Sequence, residues 1–421
     1  MLENWLLKRI TDFYINSNDF NGIPISRLLQ EVNLSWPELR DSLIELIKND
    51  EITLTFSSVF VNPHIKAFKD LPIDQQVQKL QTESPDEICA YPTAIVIQSV
   101  INIDAYTNKP FTKRLLLGEP QLLPLFFDLE VLEKYYNDPR YNFRFYDYGG
   151  GISISDRYYE SKETAKRDKI FLQTFGVGYD QNMNRVAVVF LRYLSNLSPE
   201  HQQFWNTHIC ALECKMSKEY YANSFLGQWV DHGSIYQAFL VEQVVINDMS
   251  KLMSRPPLFR ETFEENRPRE FSFFLRPTLK NYENFVHLLD KMIADNINKD
   301  FFHNEIPLEE KIKHPDGTIE ARPKGTLSLL DEWLRKSVKV LDNKVFDEII
   351  QPFKEVRKLR QKPAHTVLKD EYNGKYYSEQ EALIRRVYKA VRTIRLLFAN
   401  HPTVRDYKVP DWLYKGRIKS Y

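Results

Sequence analysis

The sequence predicts an α+β fold class, a multidomain and mostly helical chain. Three observations carry this. Apolar residues recur at three- and four-residue intervals over long stretches, the period of amphipathic helices. Short alternating stretches such as Ile52-Thr53-Leu54-Thr55-Phe56 interrupt them, the period of half-buried strands. A length of 421 residues with 43% hydrophobic content exceeds what one core usually organises. Proline-marked breaks divide the chain into residues 1–70, a mixed α+β stretch 71–267 and a helical bundle 268–421.

In the first stretch, Trp5, Leu6, Ile10, Phe13 and Tyr14 form one face of a helix. Pro24 opens a second, with Ile25, Leu28, Leu29 and Val32 inside. Ser35 and Glu38 make a capping box for a third, carrying Leu39, Leu43, Leu46 and Ile47. The strand 52–56 follows, Ser57-Ser58 turns, and Val59-Phe60-Val61 is expected to return as its hairpin partner. Three helices and a hairpin resemble a winged helix-turn-helix. The third helix exposes Glu38, Arg40, Asp41, Glu45 and Lys48, a mixed set rather than the cations a DNA-reading helix needs. Protein docking or dimerisation is therefore favoured there over DNA readout.

In the middle stretch, a helix is expected around Asp74–Leu80 and a buried strand over Thr93–Ile101. Leu115–Leu132, broken by Gly118, Pro120 and Pro124, reads as two short pieces. Gly149-Gly150-Gly151 lacks the Gly-Lys-Ser/Thr of a phosphate-binding loop and reads as a tight turn between strands. Ile170–Tyr179 and Arg185–Leu194 flank Asp180-Gln181-Asn182-Met183-Asn184 as a hairpin. Ser198-Pro199-Glu200 starts a helix, and Tyr236–Met253 is another. His208, Cys210 and Cys214 have no second pair at ligand spacing, so burial of the cysteines as small apolar residues is expected over a metal site.

In the last stretch, Tyr282, Phe285, Val286, Leu289, Met292 and Ile293 share a helix face, with His287 at its boundary. Asp316-Gly317 suits a hairpin turn within Lys313–Arg322. Leu327, Leu330, Leu334, Val338 and Leu341 define the next helix. Val345, Ile349, Phe353 and Val356 define another, whose stripe Arg360 continues. Ser378 and Glu381 are expected to cap a final helix with Leu383, Val387, Val391, Ile394 and Phe398 on its apolar side.

Positive and negative side chains balance at 57 each, so the chain as a whole is not an obvious polyanion binder. The balance is uneven: from Lys354 onward, Lys and Arg outnumber Asp and Glu by ten. Three cysteines, Cys89, Cys210 and Cys214, argue against a disulfide framework and suit a reducing, cytoplasmic setting. No secretory signal pattern and no membrane-spanning apolar run is visible, so no membrane partner is expected.

The chemistry is expected at Glu355-Val356-Arg357-Lys358-Leu359-Arg360-Gln361-Lys362-Pro363-Ala364-His365. Arg360 is a permanent cation matched to phosphate, and His365 can exchange a proton near neutral pH. Pro363 ends the helix and lets His365 fold back toward Arg360, where an unbroken helix would carry it about 140° away. A second spacing, Arg395 and His401, is a decoy of similar length.

Leu359–His365 resembles the R-x4-6-H signature of the HEPN superfamily, with a polar residue directly after the arginine. The resemblance covers roughly the last third of the chain. It implies a helical bundle and a metal-independent endoribonuclease whose site forms across a homodimer. His365 would be the general acid/base for the ribose 2′-OH, Arg360 the stabiliser of the phosphorane-like transition state, and Gln361 the residue orienting the pair. Arg357, Lys358 and Lys362 would steer RNA. Arg385, Lys389 and Arg392, with Arg386 and Arg395, extend a basic face on the last helix, and Tyr372, Tyr376, Tyr377 and Tyr388 are candidates for base stacking. No cofactor and no metal is implied. A toxin or antiphage setting, with an antitoxin or trigger protein as partner, is implied as well. Two alternatives stand: an inactive HEPN domain that binds RNA or serves assembly, and a winged-helix DNA-binding regulator with a sensor domain.

Overall fold

The computed structural model describes residues 2–32, 34–315, 318–361 and 369–420. It is α+β throughout, in two compact units, Met1–Tyr221 and Ala222–Tyr421. Among the described residues no helix is long and apolar enough to cross a membrane.

The first unit opens with α1 (Leu2–Asn16), β1 (Ile23–Pro24), α2 (Ile25–Val32), α3 (Trp36–Lys48) and β2 (Ile52–Phe56). The helices form where the apolar spacing requires them, and Leu6, Ile10, Leu28, Leu39, Leu43, Leu46 and Ile47 meet in one core. The Ser35 box is formed: the Glu38 carboxylate accepts from both the N–H and the O–H of Ser35. The expected return strand at Val59–Val61 is absent. Those residues are turn and bend, and Val61 is 93% exposed. The partner of β2 is instead β3 (Ile88–Pro92), reached after α4 (Ile73–Thr82). β3 lies between β1 and β2 and is buried over its whole length. The Ser57 N–H already donates to the Glu87 carbonyl, so β3 occupies the edge that residues 59–61 would need.

Thr93–Ile101 is not the expected buried strand. Pro92 ends β3, and α5 (Ala94–Val100) follows with Ile97 inward and Ile95 66% exposed. A short apolar run does not by itself distinguish helix from strand.

α6 (Pro110–Leu116) leads to β4 (Pro124–Asp128) of a six-stranded antiparallel sheet. α7 (Glu133–Tyr136), β5 (Tyr141–Phe145), β6 (Gly149–Ile154), α8 (Asp156–Glu160), β7 (Phe171–Asp180), β8 (Arg185–Phe190), α9 (Leu191–Ser195), α10 (Pro199–Asn206) and β9 (Cys214–Met216) complete this region. The order is β4-β8-β7-β6-β5, with β9 also paired to β7. The β7–β8 hairpin forms as its turn residues imply. The glycine triplet does not make the turn; Tyr146–Tyr148 does, with Asp147 at φ 69°. The glycines begin β6, where backbone crowds backbone. A Cβ on Gly150 would lie 2.0 Å from the Arg144 carbonyl oxygen, and one on Gly149 2.9 Å from that of Phe175. The β6–β7 register shifts between Gly150 and Ile152.

Behind this sheet, Tyr135 Oη sits 2.7 Å from His201 Nδ1 and accepts from Trp205 Nε1 at 2.9 Å. All three side chains are buried. Burial and the nearby Lys134 push the His201 pKa down to about 4, against the pull of Asp168.

α11 (Lys218–Leu226) runs across the junction, and β10 (Gly233–Ser234) precedes the second unit's central helix α12 (Ile235–Leu252). α13 (Leu279–Met292), α14 (Thr326–Ser337), α15 (Lys344–Gln361) and α16 (Lys375–Ala399) follow; α16 packs on α12, and α15 packs on α16, α13 and α14. A charged hairpin, β11 (Glu309–Lys313) and β12 (Ile319–Pro323), precedes α14; Asp316 and Gly317, the expected turn, lie outside the described residues. α17 (Asp411–Tyr414) and β13 (Ile418–Lys419) follow α16, and β13 pairs in parallel with β10.

Two expectations fail here. The helix through Leu341 stops at Ser337, leaving Leu341 exposed, because α14 is held by Leu329, Leu330, Trp333 and Leu334. α16 starts at Lys375, one turn before the expected box. Ser378 Oγ donates to the Lys375 carbonyl, and Glu381 accepts from Arg385. Pro352 sits inside α15 without ending it. In the core, Arg395 of α16 donates to Glu242 of α12 through Nε at 2.9 Å and Nη2 at 3.2 Å, with both side chains out of solvent.

Candidate active site

The stripe of α15 buries Phe346, Ile349, Ile350, Phe353 and Val356. Arg357 and Arg360 continue it one turn apart and face α13. That helix spends Phe285, Val286, Leu289 and Met292 on the core and places Asp290 beside them, fully buried. The chain then turns, with the Asp295 N–H donating to the Asp290 carbonyl, and presents Asp295.

Four side chains close into a ring. Arg357 Nε donates to Asp290 Oδ1 at 3.0 Å and its Nη2 to Asp295 Oδ1 at 2.7 Å. Arg360 Nη1 donates to Asp290 Oδ2 at 2.5 Å and to Asp295 Oδ2 at 2.6 Å. The Asp290 and Asp295 bonds hold the Arg360 pKa above its ordinary value. Burial works to raise the Asp295 pKa, but the Arg360 bond and the Arg357 charge outweigh it and hold the carboxyl below the usual range. Arg360 remains 31% exposed, and its Nε and Nη2 have no partner among the described residues. Among the described residues, the arrangement is a guanidinium fixed by one nitrogen.

Gln361 is the last described residue of α15 and is exposed, as is Lys358. Lys362 and His365 lie outside the described residues. An imidazole that is described lies near the ring: His287, one turn before Asp290 on α13. Burial, Lys291 and Arg360 lower its pKa, while Asp290 and Asp295 act to raise it.

The basic face of α16 is largely answered by carboxylates. Arg385 pairs with Glu381, Arg386 with Glu355 and Lys389 with Glu348. Arg392 has a buried Nε without a hydrogen-bond partner. Among the tyrosines, Tyr376 and Tyr388 are buried, Tyr376 stacks on Tyr282 at 5.7 Å, and Tyr377 bonds the Leu275 carbonyl. Tyr372 is exposed. The decoy spacing dissolves: Arg395 is committed to Glu242, and His401 Nδ1 contacts Thr403.

Sequence reasoning missed Asp290 and Asp295. A signal existed for the first: an aspartate adjacent to Leu289, at the edge of a helix's apolar stripe, needs a buried cation. Among the described residues no group of three or more His, Cys, Asp or Glu side chains could hold a metal ion.

No protein-family model, curated protein or solved structure matches this chain.

Proposed function

We propose that the second unit is a metal-independent endoribonuclease of HEPN type, cleaving RNA through attack of a ribose 2′-OH. The observation that supports this best is the half-held Arg360, tied to Asp290 and Asp295 through Nη1 and, among the described residues, without a partner at Nε and Nη2. An open guanidinium edge suits two phosphate oxygens. Arg360 stabilises the transition-state charge, and His365, five positions on, exchanges the proton of the 2′-OH and the leaving oxygen. Gln361 orients the pair. Arg357 is a positioning residue, and Lys358, Lys362 and Arg392 steer RNA, with Arg385 and Lys389 on the same helix face as Arg392. A homodimer of the bundle brings two such pairs together. The setting is a cytoplasmic toxin or antiphage one, with an antitoxin or trigger protein as partner.

The test is purified full-length chain with RNA in EDTA, beside His365→Ala, Arg360→Ala and His287→Ala. Loss of cleavage in the first two with retention in the third supports the assignment. Equal cleavage by wild type and His365→Ala overturns it.

A second reading, RNA binding or assembly without catalysis, draws on the carboxylates that already neutralise Arg357 and Arg360. RNA retention without cleavage, unchanged in His365→Ala, would select it. For the first unit we infer a winged-helix-like start. The order α1-β1-α2-α3-β2 with the sheet order β1-β3-β2 supports it, although α4 is inserted before β3. The Lys48–Glu45 pair on α3 favours protein docking there over duplex DNA.

A further inference from the structure

Cys210 and Cys214 are separated by Ala211-Leu212-Glu213, and each is fixed by a different strand. The Cys210 N–H donates to the Phe126 carbonyl of β4 at 2.9 Å, beside the bridge between Phe127 and Ile209. Cys214 begins β9, opposite Asp180 of β7. The loop between them folds back, and the Cys214 thiol points at Cys210 Sγ from 3.5 Å. Neither residue is buried in the way the sequence implies. Both are half-buried, whereas Cys89 lies inside the core. His208 does not join them: its Nδ1 faces the Phe204 carbonyl. The two sulfurs are thus a close pair at the sheet edge, within reach of a small solute.

We propose that Cys210 and Cys214 are a peroxide-responsive dithiol that closes to an intramolecular disulfide. Cys210 is the attacking sulfur, because the Cys214 S–H faces two acceptors, Cys210 Sγ and the Leu212 carbonyl oxygen at 3.3 Å, which favour keeping its proton. Cys210 S⁻ attacks one peroxide oxygen and the O–O bond breaks. Cys210 becomes a sulfenic acid, and the other oxygen leaves as hydroxide, which takes a proton to become water. The Cys214 sulfur then attacks the sulfenic sulfur. The S–S bond forms, the S–O bond breaks, and the departing hydroxide takes the Cys214 proton as the second water. Two thiols lose two electrons and the peroxide gains them. Burial, the adjoining Cys210 sulfur and then Asp180 and Asp128 hold the Cys214 pKa up at about 12, which disfavours Cys214 as the first attacking sulfur. Reaching a bond length of about 2.05 Å closes the present 3.5 Å separation of the sulfurs.

The experiment treats full-length protein with hydrogen peroxide, quenches it, and reads intact mass, thiol count after denaturation and a non-reducing digest. The expected result is loss of two hydrogens, a fall from three titratable thiols to the single Cys89, and a linked Cys210–Cys214 peptide, all reversed by dithiothreitol. Cys210→Ser and Cys214→Ser keep the size of the side chain and lose the linkage. Three thiols persisting after peroxide, irreversible oxygen addition to either cysteine in the wild type, or a disulfide to Cys89 or to a second chain would each overturn the proposal.

Discussion

Asp290 and Arg360 come from helices joined by a long excursion of chain, and they meet with the carboxylate fully buried and the guanidinium partly open. The aspartate makes the arginine's position possible, and the arginines make the aspartate's burial tolerable. Removing Asp290 leaves two cations without their shared anchor. Asp290→Ala is expected to destabilise the protein by about 2 kcal/mol, less than a fully buried pair because both arginines reach solvent. Urea denaturation followed by far-UV circular dichroism measures this. A change within experimental error would mean the ring holds nothing together.

Arg360→Lys separates charge from shape. Lysine keeps the positive charge but not the planar fork that binds Asp290 and Asp295 and that, in the proposed reaction, also binds phosphate. RNA cleavage in EDTA is expected to fall by about 100-fold or more, close to the loss in Arg360→Ala. Near wild-type turnover in Arg360→Lys would show that charge alone suffices.

Glu242 and Arg395 supply a cleaner test of buried pairing. Burial pushes the Glu242 pKa up even with Arg395 beside it. Glu242→Leu and Arg395→Met are each expected to cost about 3–5 kcal/mol, and the double substitution to recover most of that loss. Chemical denaturation of all four proteins closes the cycle. Additive losses would mean the two residues act independently.

His201 makes stability depend on acid. Its pKa falls from an ordinary 6.5 to about 4 in the folded chain, so between those values the unfolded chain binds more protons. The neutral imidazole's contribution is complete above pH 6.5 and is lost as pH falls toward 4, by about 3 kcal/mol in all. His201→Gln is expected to flatten the stability profile over that interval. An unchanged slope would assign the acid sensitivity to other groups.

Gly150→Ala introduces a methyl 2.0 Å from the Arg144 carbonyl oxygen, and backbone must move. The expected loss is about 1–3 kcal/mol. Gly325→Ala, whose methyl meets nothing within 4 Å, is the control and is expected to stay within about 0.5 kcal/mol. Thermal unfolding compares the two.

Local periodicity made α3, α12, α13 and α15 legible, because each buries a stripe set by its own sequence. The β7–β8 hairpin was legible because its turn residues lie between its strands. What escaped was non-local. β2 finds β3 across an inserted helix, and nothing at Val59–Val61 announces that the edge is already taken. Thr93–Ile101 is too short and too uniformly apolar for its period to be read. The glycine triplet answers to strands on either side of it rather than to a bend. At the site, Arg360 was legible as a half-packed cation, but its carboxylate partners were not, since Arg357 and Asp290 stand 67 residues apart.

The pairing of Arg357, Arg360, Arg385, Arg386 and Lys389 with nearby acids shortens the reach of the field these five side chains cast. A polynucleotide drawn in by the remaining cations would feel less pull from these five than their number implies, and they would add little to the salt dependence of its arrival. Selection would then occur on contact, as a phosphodiester displaces or joins an aspartate, so that the surface rewards close fit over mere negative charge.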